Sequence, residues 1–214
     1  MTGRPRPPAA SPLPVRVRRI TLAVIALSGL VGSAAAQHIG QVVELEGFRS
    51  LKPPISEFWA QNKAAIGAAQ AKHQAHAASL ESMRISRGLI LLALTISCSL
   101  TFVAALRILR PGGTAREGAR RLLASTAIAS AVLRTMDGAQ MTAIAGRAGA
   151  AWDKVMGNAD VPGGYPQGME QTLLSATTIG FTVLIAGAFV GVATYFRSDT
   201  LREQVAAADR SEQA

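Results

Sequence analysis

Two residue pairs in this 214-residue chain carry the types and spacing that could do chemistry: His73 with His76, and Arg134 with Asp137. Each pair is three apart, which on a helix sets both side chains on one face. His73 and His76 could therefore reach one metal ion. A metal centre needs three or four ligands and partners that orient the rings. Only His38 remains as a further histidine, and no Glu-x-x-His pairing of the di-iron type accompanies it. The sequence thus implies no cofactor and no metal ligand set. A histidine pair titrating near neutrality is the other reading of these residues.

Arg134 and Asp137 lie inside an otherwise apolar segment. An ionisable pair in such a place marks either an ion path or a polar latch between helices. The single cysteine, Cys98, sits among Thr95, Ser97, Ser99 and Thr101. One thiol makes no internal disulfide, and it reads as a small packing residue. Nothing in the chain resembles a nucleophile with its base, a phosphate loop or a pocket carboxylate pair. No catalytic residue is expected.

The elements that must position these groups are four apolar stretches edged by arginine, at 20–36, 88–106, 122–146 and 172–196. A helix needs about 20 apolar residues to cross roughly 30 Å of hydrocarbon. The expected fold is therefore all-α: an integral membrane bundle of four, or three, transmembrane helices. The formal charge of +9 would suit a nucleic-acid binder, but its distribution does not. Residues 1–19 hold five arginines and no acid, and 107–121 hold five arginines against one glutamate, whereas 147–171 and 197–214 are each net negative by one. Positive charge beside apolar segments orients membrane helices, and it places 1–19 as a disordered cytoplasmic arm and 107–121 as a basic cytoplasmic loop. No nucleic-acid partner is expected; the lipid bilayer is. Arginine in excess of lysine, with abundant alanine, matches a GC-rich bacterial genome and an inner-membrane location with both termini cytoplasmic.

Two stretches leave alternatives open. Residues 20–36 form either an uncleaved span or a signal peptide, since Ala34, Ala35 and Ala36 before Gln37 resemble a signal-peptidase site. Residues 122–146 carry Arg134, Asp137 and Gln140 near their middle, and form either a third crossing or a hairpin outside the bilayer. If they cross, Ala124, Ala127, Ala131 and Gly138 make a small-residue strip to face neighbours, with Leu122, Val132, Leu133, Met136 and Ile144 opposite, towards lipid. Residues 147–171 are then an external loop, turning at Pro162, Gly163 and Gly164. Residues 197–214 are the cytoplasmic tail.

Outside the membrane, 37–56 read as an irregular segment, with Ser56 as N-cap of a helix over 57–87 that continues unbroken into the span at 88–106. Along that helix a heptad-like seam reads Trp59, Asn62, Ile66, Ala69, His73, His76, Leu80 and Met83. Such a seam packs on residues 37–55 or on a second copy of the chain. In 172–196, Ala176, Gly180, Gly187 and Gly191 form a groove that permits close helix approach. The composition points to a non-catalytic accessory or scaffold subunit that contacts partners or itself through the long external helix and the small-residue faces. A small channel or transporter using Arg134 and Asp137 is the alternative, and a metal- or haem-binding protein on His73 and His76 the third.

Overall fold

The computed structural model describes residues 13–53, 62–110, 116–159 and 165–213, and every element among them is helical. There are seven: α1 (Val15–Val43), α2 (Leu45–Ser50), α3 (Lys63–Ser82), α4 (Arg84–Leu109), α5 (Arg116–Gly157), α6 (Met169–Arg197) and α7 (Asp199–Gln213). Three of them, α1, α4 and α6, are long and apolar enough to cross a membrane, the composition of a multi-pass membrane protein. The predicted Ser56 cap, Trp59, the helix start at residue 57 and the turn at Pro162, Gly163 and Gly164 lie outside the described residues, as do residues 1–12 of the basic arm.

Several boundaries depart from the sequence expectation, each for a local reason. Residues 37–56 are not irregular at their start, because α1 continues to Val43 and α2 follows at once. No proline interrupts the chain between Pro14 and Pro53, so α1 is free to run on past residue 36. The long outer helix begins at Lys63: Asn62 has extended backbone, and its side chain accepts hydrogen bonds from the N–H groups of Ala64 (2.9 Å) and Ala65 (3.2 Å). Asn62 is thus an N-cap rather than a seam residue. The expected unbroken rod is two helices, since Met83 (φ −110°, ψ 9°) interrupts the ladder between α3 and α4. Much of 147–171 is helical too, because alanine-rich and proline-free α5 runs on for 42 residues.

The chain divides into two compact units. The first comprises Met1–Ala34, Leu94–Val132 and Ala186–Ala214. Its core gathers Val17 and Val24 of α1, Ala104, Ala105 and Ile108 of α4, Leu123 of α5 and Phe196 of α6. Leu201 and Val205 of α7 complete it, burying one apolar edge of an otherwise charged helix. Helix α1 is seated closely, since a Cβ on Gly32 would come 3.1 Å from the Cβ of Cys98 and one on Gly29 would lie 3.8 Å from the Phe102 ring. Between α4 and α5 runs a ladder of buried hydroxyls. Ser97 donates to the Thr126 carbonyl (3.0 Å), Thr101 to the Thr126 hydroxyl (2.9 Å) and Ser130 to the Ser97 hydroxyl (3.0 Å).

The second unit comprises Ala35–Ala93 and Leu133–Ile185. One of its cores joins Leu45 of α2, Leu80 of α3 and Ile144 of α5, and another joins Ala65 and Ala68 of α3 to Met156 of α5. Helix α5 approaches α6 very closely here. A Cβ on Gly149 would fall 2.5 Å from the Cα of Gln171, so no larger residue fits without displacement. The N-terminus of α6 is capped from a distance by buried Asp153 of α5, whose carboxylate accepts from the backbone N–H groups of Glu170 (3.1 Å) and Gln171 (3.0 Å). Gly168, at φ +76°, supplies the left-handed turn that leads into that helix.

Candidate functional site, a buried arginine–aspartate–arginine cluster

Asp137 and Arg134 are joined on one face of α5 by an ion pair, as their three-residue spacing allows. The carboxylate has a second partner that the spacing does not reveal: Arg87 of α4, its Nη1 3.1 Å from Asp137 Oδ1. Arg87 and Asp137 are almost wholly enclosed, with 1% and 2% of their side chains exposed, and Arg134 retains 19%. Next to them Gln140 donates through Nε2 to the Ser86 hydroxyl (3.3 Å). A Cβ on Gly138 would collide with the Thr182 side chain, so glycine is what lets α6 close over this part of α5.

Two arginines and one aspartate leave one surplus positive charge. Burying an ion is costly unless it is paired, and the surplus falls on the arginine that keeps contact with its surroundings. Arg87 lies in the first turn of α4, ahead of its apolar run. Asp137 is therefore level with the start of α4, where that helix's apolar run begins. The remainder of the small-residue strip is inward as expected, with Ala124, Ala127, Ala131 and Gly138 buried and Val132 and Met136 exposed. Ile144 and Leu122 depart from it: beyond the cluster, α5 packs on Leu45 and Leu80 with Ile144 buried between them, and Leu122 packs partly buried on the core of the first unit.

The histidines sit elsewhere in the same unit. His73 Nε2 lies 3.0 Å from the Phe48 carbonyl oxygen, an acceptor, so this nitrogen carries the proton. The Phe48 ring rests against both imidazoles, its centroid 4.8 Å from that of His73 and 5.5 Å from that of His76. Burial first, and the nearby positive charges of Arg87, His73, Lys72 and His38 after it, hold His76 below its ordinary value of 6.5. The seam residues Leu80 and Met83 pack on α2 and α5, and Ile66 is half-buried. His73, His76, Leu80 and Met83 thus each touch another element of their own chain. Among the described residues no group of three His, Cys, Asp or Glu side chains is placed to hold a metal ion. The predicted groove on α6 has the opposite fate. Ala176, Gly180, Gly187 and Gly191 are all exposed, and the three glycines have no neighbour within 4 Å of an added Cβ. Its buried face is instead Thr182, Ala186, Phe189, Ala193 and Phe196.

Comparison with protein-family models, curated proteins and solved structures returns no match.

Proposed function

We propose that the chain is a four-span inner-membrane protein of non-catalytic type, an accessory or scaffold subunit with both termini in the cytoplasm. The reading of α5 as the remaining crossing rests on its partners. Unit by unit it is paired with α4, through the hydroxyl ladder in the first and through Arg87 in the second, so it travels wherever α4 travels. Its modest apolarity fits a helix whose alanine and serine face is covered by neighbours. Burial of Val17, Thr21, Val24 and Ser28 supports α1 as a retained span, and the helix continues through Ala34, Ala35 and Ala36 without a break.

The observation that carries the non-catalytic reading is the closure of the charged cluster. Arg87 and Asp137 consume each other's charge at 1% and 2% exposure, the behaviour of a latch between helices rather than the lining of a path. The outer faces then serve lipid and partners, including a second copy of the chain. Purification from native membranes in mild detergent tests this. The expected result is a homo-oligomer or a stoichiometric complex with another membrane protein, with intact mass retaining residues 1–36. A monomer that conducts ions after reconstitution into liposomes would reverse the assignment in favour of a channel.

A further inference from the structure

Helices α2, α3 and α5 of the second unit border a cavity of about 390 Å³, apart from the charged cluster. That size lies at the lower end of the roughly 300–1,000 Å³ typical of small-molecule sites. Its walls combine two aromatic rings, Phe48 and Trp152, with four nitrogen-bearing side chains, Lys52, Lys72, His73 and His76, and among the described residues no carboxylate lines it. We infer that this cavity binds a small organic carboxylate with a flat apolar body, of about bicyclic size.

Charge arithmetic sets the valence of the ligand. Lys72 is ion-paired with Glu170, which offsets one of the two lysines. Lys52 then supplies a net single positive charge, matched by a monoanion better than by a phosphate dianion. An ammonium has three donors, so Lys72 can hold Glu170 and still offer a hydrogen to a second acceptor. Its Nζ also stands 5.5 Å from the centroid of the Trp152 ring, which fixes a cation and an aromatic face side by side. A ligand with a charged head and a flat body meets both requirements at once. His73, whose Nε2 hydrogen is committed to the Phe48 carbonyl, keeps α2 against α3 and so keeps Phe48 on the cavity wall. His76, whose proton affinity burial lowers, adds a polar edge to the same wall.

The test is isothermal titration of the full-length protein in micelles at pH 7.5 with 2-naphthoate, and with its neutral analogue 2-naphthamide. Saturable one-site binding of the carboxylate is expected, with the amide at least tenfold weaker. Lys52→Ala should weaken 2-naphthoate at least fivefold; Lys52 is exposed, so the substitution leaves the core untouched. Ala69→Leu, which adds bulk on the cavity wall, should abolish binding, and partition of the probe into micelles persists in that variant as the background. Absence of saturable binding, equal affinity for carboxylate and amide, or full affinity in Lys52→Ala would each overturn the inference. Should Ala69→Leu fail to fold, the amide and Lys52 arms decide the matter without it. None of these outcomes depends on whether the chain assembles with partners.

Discussion

Helices α4 and α5 are joined by neutral hydroxyls in the first unit and by full charges in the second, although the same two helices supply both contacts. The hydroxyls largely satisfy themselves. The single O–H of Thr101 has the Ser97 carbonyl one turn back (2.9 Å) as an alternative acceptor, and Thr126 donates to that of Leu122 (2.8 Å), so burying them costs little even where water is absent. Arginine and aspartate have no such local recourse and must find each other across helices. A neutral ladder thus suits the interior of an apolar bundle, while a charged cluster suits the end of an apolar run, where the surplus charge can reach a polar surrounding. The contrast makes the two joints differ in strength and in tolerance of substitution.

The largest expected effect is at the charged joint. Asp137→Ala leaves Arg87 buried without a counterion, and a broken buried pair costs about 3–5 kcal/mol. Arg134→Ala should cost distinctly less, because Asp137 keeps Arg87 and Arg134 was 19% exposed to begin with. Denaturant unfolding in micelles measures both, and equal losses would mean that Arg87 does not neutralise Asp137. Replacing Arg87 by Met together with Asp137 by Leu should recover part of the loss, since no lone charge then remains from that pair.

The neutral joint should yield far less. Thr126→Val removes the acceptor for Thr101 while retaining the shape of the side chain, and interhelical hydrogen bonds of this kind average about 0.6 kcal/mol. A loss of several kcal/mol would erase the distinction between the two joints.

What could be read in advance follows the same division between local and long-range causes. The Arg134–Asp137 pair and the inward strip of Ala124, Ala127 and Ala131 are consequences of helical spacing alone, and both were legible. Arg87 was not, because an arginine at the edge of an apolar run has an ordinary explanation as an orienting charge, and only the register of α4 on α5 gives it a partner. The small residues of α6 differ again: their spacing permits close approach but does not supply the neighbour, and within this chain they are exposed. In α7, mixed charges concealed the pair Leu201 and Val205, whose burial against the first unit gives that helix its place. Asp153 was hidden for a similar reason, as a cap supplied by another helix leaves no signature near the residues it caps.

The smallest effect separates the units by pH. His76 belongs to the second unit, and its proton affinity is lowered first by burial and then by Arg87, His73, Lys72 and His38. In the unfolded chain it takes up a proton near 6.5, whereas in the folded chain it does so only at lower pH. The unfolded state therefore binds more protons as pH falls below 6.5, and by linkage stability falls with it. The contribution is fully present above that value, declines on acidification and levels off once the folded histidine is protonated as well. No group in the hydroxyl ladder titrates in this range. Amide hydrogen exchange at pH 7.5 and 5.5, corrected for intrinsic rates, should show α2 and α3 losing protection on acidification while residues 97–101 and 126–130 keep theirs. His76→Gln should remove most of the difference for α2 and α3. If the variant and the parent lose protection to the same extent, the acid response belongs to another group and the two units do not differ in this respect.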